Sequence, residues 1–516
     1  MRKPAREPAR KRTRENAGKS FREPARKHTR ENAGKSFREP ARKRTRENAG
    51  KPARETVREP PFRESMYWCP ECNVPLVAST CGCKTPGYEI PLTKPYDVRP
   101  ALEHDRRIIK TYLKDRFGIE TIPQIILLNK SGGIDRTDTI IANGVIFGRL
   151  TFDPLLREYT IELTPDALPF VIDEISNGIV DITDEVTEKG NRHMGGKNVP
   201  CTSDLSDGPV IVHAGGRYGT GWLRNNVVKV KSLGRPRPIE MPDPDREQVI
   251  RCNKPHLKNL ERHAIRFIKS QKDERPECNV AFSGGKDSTV VRELARKADV
   301  TDCYYVDTGM EFPETTEYVN SLGIPVILHG PDFQKGLKKN GIPAKDDRWC
   351  CEYLKLEPVR KWRLTKGDCV TVQGNRWYES FARSTLPGVA VNPYYSGQLN
   401  ISPIRGWRAF EVFLYIWWRD LPLNPLYEQG FERVGCWMCP AMLESEYEIA
   451  KELHPEKIAE WEEIIGRYAR IEHISDAAMK CGWWRWKNHP PKMITLMNER
   501  GIQIKSQNSA KNKNKR

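Results

Sequence analysis

Ser283-Gly284-Gly285-Lys286-Asp287-Ser288 follows directly on the apolar run Asn279-Val280-Ala281-Phe282 and leads into Thr289-Val290-Val291-Arg292-Glu293-Leu294-Ala295. The first run reads as a buried strand and the last as a helix. A strand that turns through two glycines into a helix makes an anion cradle. The glycines let several backbone N–H groups face one oxyanion, and the helix N-terminus adds a partial positive charge. Phosphate, pyrophosphate or sulfate would suit it. The loop is too short for the Walker pattern, which ends Gly-Lys-Ser/Thr.

Downstream, strand and helix signals alternate. Strands are expected at 280–282, 303–306, 325–328 and 369–373, with helices between them. That order predicts a parallel sheet covered by helices on both faces, with its ligand at the carboxyl ends of the strands. Several polar segments follow these strands. They are Cys303-Tyr304-Tyr305-Val306-Asp307-Thr308-Gly309 with Phe312-Pro313-Glu314-Thr315, and Arg348-Trp349-Cys350-Cys351 with Leu354-Lys355-Leu356-Glu357-Pro358. Then come Val370-Thr371-Val372-Gln373-Gly374-Asn375-Arg376 with Glu379-Ser380, and Ser402-Pro403-Ile404-Arg405-Gly406-Trp407. Last is Asn424-Pro425-Leu426-Tyr427-Glu428-Gln429-Gly430 with Gly435-Cys436-Trp437-Met438-Cys439.

In this order and spacing, residues 246–445 resemble the phosphoadenosine/adenosine phosphosulfate reductase family, the sulfonucleotide branch of the PP-loop (adenine nucleotide alpha hydrolase-like) proteins. The resemblance implies that Ser283, Gly284, Gly285, Lys286, Asp287 and Ser288 cradle the anionic end of an adenine nucleotide. Lys286 supplies a mobile charge, and Ser288 also suits a helix cap. Asp307, Thr308 and Gly309 are expected along the nucleotide. Gly374 would precede Arg376, which could clamp an anion bidentately.

Cys350-Cys351 and Cys436/Cys439 form one cysteine set. Adjacent thiolates diverge, so a vicinal pair serves one tetrahedral ion poorly but can ligate different irons of a cubane. The resembled cluster-bearing reductases hold a [4Fe-4S] cluster on this pattern, and Trp349, Trp437 and Met438 would shield it. In that family a cysteine near the C-terminus, in a Glu-Cys-Gly-Leu/Ile-His tail, attacks the sulfonucleotide. Here that tail is absent, and Lys480-Cys481-Gly482 offers Cys481 as the nearest candidate nucleophile.

Cys69-Pro70-Glu71-Cys72 and Cys81-Gly82-Cys83 make a second set, CxxC…CxC, suited to tetrahedral Zn2+. So short a segment would depend on the metal for folding. The expected order is therefore a zinc-ribbon-like segment at 66–92, a small α/β domain at 93–157 and a β-barrel, PUA-like domain at 158–235. A proline-rich linker at 236–245 leads into the PP-loop domain at 246–504. The PUA resemblance rests on Gly208–His213 followed by Gly215-Gly216-Arg217-Tyr218-Gly219-Thr220-Gly221-Trp222. The α/β segment shows no chemistry of its own.

Residues 1–65 carry three near-copies of one 16-residue unit, Arg6–Phe21, Arg22–Phe37 and Arg38–Ala53, with almost nothing apolar. Disorder is expected there and in the basic tail 505–516. Met66 is an alternative start. The tails hold the charge. Of 86 basic and 68 acidic residues, 22 and 9 lie in 1–65 and another 5 basic ones in 505–516, which leaves 59 of each between. No apolar run reaches the ~20 residues of a membrane span, and no signal-peptide core is present. A cytoplasmic chain is expected, with its fourteen cysteines as metal ligands and thiols.

Two chemistries fit this reading. One is reduction of adenosine phosphosulfate, with or without a 3′-phosphate, to sulfite, with electrons from a thioredoxin-like or ferredoxin-like donor. The other is RNA (tRNA) thiolation, in which ATP adenylates a base and sulfur follows. The zinc set, the PUA-like segment, the basic tail and the missing terminal cysteine favour the second. A non-catalytic RNA-binding protein is the third reading.

Overall fold

The computed structural model of the chain describes residues 62–182, 196–328, 332–380 and 383–502. The repeat units and the C-terminal basic tail lie outside these. Residues 62–65, expected with the repeats, are built into the structure. Arg63 donates to both carboxylate oxygens of Glu411, at 2.6 and 2.9 Å.

The first strands, β1 (Ser65–Cys69), β2 (Val74–Leu76) and β3 (Tyr88–Pro91), form an antiparallel sheet in the order β2-β1-β3. Trp68 is fully buried, and its indole N–H donates to Asn73 at 2.8 Å. This sheet is too small to enclose a core. Its apolar face packs on Val249, Ile250 and Leu257 from one later helix, and on Phe410 and Leu414 from another.

Next come β4 (Val98–Pro100), α1 (Glu103–Phe117), β5 (Ile126–Lys130), β6 (Thr137–Ala142), β7 (Val145–Asp153) and β8 (Glu158–Leu163). The strands form one antiparallel sheet in chain order. Helix α1 covers it through Ile109, Leu113 and Phe117, spaced one turn apart. The boundary expected at 157/158 falls inside a hairpin, because β8 pairs with β7 from Glu158 to Leu163. Strands β9 (Ile179–Asp181), β10 (Asn198–Pro200), β11 (Gly208–Ala214), β12 (Arg217–Arg224) and β13 (Val227–Val230) form the next sheet, in the order β10-β13-β12-β11-β9. The proline-rich linker that follows is extended but not a loose tether. The Ile239 N–H donates to the Pro169 carbonyl, and Asp243 accepts from the Gln124 N–H.

The long helix α2 (Arg246–Gln271) starts on Asp245, whose side chain accepts from the Gln248 N–H at 2.7 Å. After it come β14 (Glu277–Phe282), α3 (Lys286–Arg296), β15 (Cys303–Asp307), α4 (Pro313–Ser321), β16 (Val326–Leu328), α5 (Phe333–Asn340), α6 (Glu357–Lys366) and β17 (Cys369–Val372). Strands β18 (Val389–Asn392) and β19 (Tyr395–Ile401) complete a sheet ordered β16-β15-β14-β17-β19-β18. Every pairing in it is parallel except β18–β19, a hairpin that the strand–helix alternation did not suggest. The chain reverses direction across the sheet between β14 and β17. Ligands of such sheets bind at that switch point, and the glycine loop opens there.

Helices α7 (Ala409–Trp418), α8 (Glu444–Leu453), α9 (Pro455–Glu472) and α10 (Pro491–Glu499) finish the described chain. A seam of buried charge joins them to the β4–β8 sheet. Asp135 accepts from the free N–H groups of Glu444 and Ser445 at the start of α8, at 2.6 and 3.0 Å. It also faces Arg485 at 3.3 Å, and Arg485 faces Glu444 at 3.1 Å. Asp135 and Arg485 are both almost wholly buried. Removing one member of such a set leaves a charge unpaired in the interior. Asp135→Ala is therefore expected to cost about 3–5 kcal/mol, read as a lower urea midpoint for the full chain with an unchanged slope.

Candidate functional site

The glycine loop is closed upon itself. Gly284 sits at φ +75°, a conformation that strains any other residue. The Ser283 N–H donates to the Ser288 hydroxyl at 3.3 Å, and that hydroxyl donates to the Gly285 carbonyl at 2.7 Å. Ser288 was expected to cap the helix. Instead Gly285 holds the cap position with no side-chain bond, and Ser288 ties the two ends of the loop together.

A second segment braces the loop from outside. The Asn424 amide donates to the Gly284 carbonyl at 3.2 Å and to the Thr315 hydroxyl at 3.0 Å. The Lys286 N–H donates to the Tyr427 hydroxyl at 3.0 Å. The Lys286 ammonium lies 5.5 Å from the centre of the Tyr427 ring.

Lys286 is buried and begins a chain of alternating charge. Its ammonium donates to Asp287 at 2.8 Å, and the other oxygen of Asp287 takes Arg376 Nε at 2.5 Å. The two terminal nitrogens of Arg376 fork onto Asp97 at 2.9 and 3.0 Å. Asp97 in turn accepts the Ala409 N–H at the start of α7, at 2.7 Å. Burial opposes ionisation of Asp287, but Arg376 and then Lys286 outweigh it and hold the carboxyl at about 2. Burial would also discharge Lys286; Asp287 and Tyr427 overcome this and raise its pKa.

Arg376 is thus not placed as expected. It is 2% exposed and committed to two carboxylates, so it fixes Asp287 rather than presenting a free anion clamp. Gly374 lies against Asp287, where a Cβ would come within 2.9 Å of the Asp287 carbonyl carbon. A side chain there would push this strand end off the loop.

The crevice beside Lys286 has a second wall. Besides Arg376, Glu379 and Arg383, it is lined by Asp97, Arg99 and Lys130 from the β4–β8 segment, for which the sequence suggested no chemistry. No local motif marks Asp97. A larger groove of about 500 Å³ runs between Gly132-Gly133 and α10, and it includes no residue of the loop or of either cysteine set.

The turn after β15, on the same edge of the parallel β14–β15 pair as the glycine loop, reaches one cysteine set. The Gly309 N–H donates to Asp307 at 2.8 Å. The Thr308 N–H and hydroxyl donate to Glu311 at 3.0 and 2.7 Å. The same hydroxyl is 3.9 Å from Cys436 Sγ, Glu311 forms a β-bridge with Cys436, and the Trp437 N–H donates to the Met310 carbonyl. Cys350, Cys351, Cys436 and Cys439 share one cluster with buried Trp437 and Met438. Arg348 Nη2 lies 3.3 Å from Cys351 Sγ and 4.0 Å from Cys439 Sγ. The Cys350–Cys351 hydrogen bond raises the Cys350 pKa and lowers that of Cys351, which Arg348 and Lys355 also favour as thiolate.

The other set converges on one point. Cys69, Cys72, Cys81 and Cys83 draw their four sulfurs within 4.8 Å of one another, as ligands of a single metal ion do. The Gly82 N–H donates to the Cys252 carbonyl of α2 at 2.9 Å, which ties this knuckle to the nucleotide-binding body.

Cys481 is not brought to the crevice. It is fully buried with Ala478, Met493 and Met497, and burial pushes its thiol up to about 11, the opposite of an activated nucleophile. All fourteen cysteines of the sequence fall among the described residues. Cys278, Cys303 and Cys369 sit at the opening ends of their strands, away from the carboxyl edge. Cys252 lies beside the first set, and Cys201 is in the sheet of β9–β13.

The model of the phosphoadenosine phosphosulfate reductase domain matches residues 277–442. An uncharacterized protein of Methanocaldococcus jannaschii is 34% identical, over 82% of this chain and 96% of its own. Adenosine 5'-phosphosulfate reductase of Deinococcus radiodurans is 26% identical, over 32% of this chain and 66% of that enzyme. Among solved structures, phosphoadenylyl-sulfate reductase of Candida auris is 21% identical over 36% of this chain and 96% of that one, with a TM-score of 0.29. From the glycine loop to the paired cysteines, residues 277–442 carry a phosphoadenosine phosphosulfate reductase domain.

Proposed function

We propose that the chain is an adenine-nucleotide-dependent enzyme of sulfur metabolism, of the iron–sulfur sulfonucleotide reductase type. The observation that carries this reading is the turn Asp307–Glu311, which ends the strand paired in parallel with the glycine-loop strand and touches Cys436. Cys350, Cys351, Cys436 and Cys439 would hold a [4Fe-4S] cluster. The vicinal pair Cys350-Cys351 suits different irons of a cubane better than one tetrahedral ion. When bound, the cluster would supply a redox-active centre. Cys69, Cys72, Cys81 and Cys83 would hold Zn2+. Their sulfur pairs at 3.7 and 3.9 Å fit the ~3.8 Å edge of a tetrahedron with ~2.3 Å Zn–S bonds.

In this reading the loop at Ser283–Ser288 receives the phosphate end of adenosine phosphosulfate. The substrate's negative charge competes with Asp287 for Lys286. Arg376 holds Asp287 back, so the ammonium can turn to the substrate while the carboxylate keeps a partner. The α3 N-terminus adds its dipole, and Trp437 and Met438 keep water from the sulfur end. Cleavage of the S–O bond with uptake of two electrons yields sulfite and the adenosine phosphate. The family points to a thioredoxin-like donor in general.

A second reading is ATP-dependent sulfur transfer to an acceptor such as an RNA base. One observation favours it: none of the fourteen cysteines lines the crevice beside Lys286 to attack a sulfonucleotide.

Anaerobically purified full-length protein with adenosine phosphosulfate and a chemical reductant is expected to release sulfite and AMP in equal amounts. AMP and pyrophosphate from ATP, without sulfite, would select the second reading, and binding of neither nucleotide would defeat both. Lys286→Ala should weaken adenosine phosphosulfate binding roughly 10- to 100-fold through loss of a buried charge-assisted contact, measured by calorimetry. Cys350→Ser should lose the visible iron–sulfur absorbance and bound iron while the zinc content stays unchanged.

A further inference from the structure

The body between the two basic tails is neutral, yet residues 333–366 hold ten basic and four acidic side chains. The surplus is organised. On α5, Phe333, Gly336 and Leu337 turn inward, and Phe333 stacks on Trp349 at 5.7 Å. A Cβ on Gly336 would come within 2.4 Å of the Trp349 ring, so α5 lies directly against the Cys350-Cys351 turn. Lys335, Lys338 and Lys339, at i, i+3 and i+4, share the exposed face. Arg348 and Lys355, both exposed, flank the cysteine pair. The three helix lysines and Lys355 have no ion pair among the described residues. Complementing the dipole at the end of α5 would account for Lys338 and Lys339, but not for Lys335, Arg348 or Lys355.

Arg348 also touches the Cys351 and Cys439 sulfurs while remaining exposed, so these two lie one side chain below this surface. We infer that the face formed by Lys335, Lys338, Lys339, Arg348 and Lys355 docks a small acidic electron-carrier protein of the ferredoxin type. The inference rests on the reductase reading, which needs two electrons per sulfonucleotide and finds no thiol at the crevice to give them. A compact acidic protein matches a basic patch beside Cys351 and Cys439, and such encounters are steered by charge.

The test uses the full chain, loaded with its cluster, and a strongly acidic 2[4Fe-4S] ferredoxin, without nucleotide. Saturable binding is expected in about 50 mM salt, weakening about tenfold or more by about 300 mM. K335E/K338E/K339E should lose at least about tenfold in affinity, whereas K110E/K254E/K258E, with the same change in net charge, should stay within about twofold. Hydrogen exchange over 333–366 should slow on binding to the unmutated chain, a readout that does not depend on how the variants fold. Absence of saturable binding, equal loss in both variants, or protection of this stretch by tRNA instead of ferredoxin would overturn the inference. If sulfite release persists while ferredoxin fails to bind, the docking inference alone fails. If ferredoxin binds but the nucleotide does not, the proposed function alone fails.

Discussion

A buried line of alternating charges, Lys286–Asp287–Arg376–Asp97, is the constraint on which the rest of the site depends. Each of its ions would be costly to bury alone. Together they neutralise one another, and the line ends on a helix N-terminus at Ala409. It fixes Asp287 against the glycine loop while leaving Lys286 with one partner it can exchange. Three separate parts of the chain supply the line. The loop and the end of β17 belong to the PP-loop sheet, but Asp97 precedes β4, far upstream of the matched domain.

The N-terminal segments are therefore not appendages. The β4–β8 sheet contributes Arg99 and Lys130 to the crevice, with Asp97 just ahead of it, and Asp135 to the start of α8. The cysteine-rich sheet buries its apolar face on α2 and α7 rather than on itself. These are parts of the nucleotide-binding body in the physical sense, because neither side buries its polar or apolar surface without the other.

What the sequence made legible follows from locality. The glycine loop, the strand before it and the cysteines at 69–83 are short signals whose meaning lies in adjacent residues. The structure gathers Cys69, Cys72, Cys81 and Cys83 within metal-binding reach of one another. Asp97 was not legible, because a single aspartate in an unremarkable segment acquires its role only when the chain folds back over Arg376. Arg376 misled for the same reason: an arginine after a glycine turn resembles an anion clamp until its two carboxylate partners are known. Cys481 misled because a thiol beside a lysine looks activated in one dimension, whereas packing among methionines makes it inert. The hairpin β18–β19 was hidden by a regular strand–helix rhythm that it interrupts.

The most direct test of the central claim is a crystal structure of the anaerobically prepared full chain soaked with adenosine phosphosulfate. The nucleotide's anionic end should lie at Gly285–Lys286, with the Lys286 ammonium moved from Asp287 to the ligand, and iron density should be shared by Cys350, Cys351, Cys436 and Cys439. A nucleotide bound elsewhere, or iron absent from those four sulfurs, would contradict it.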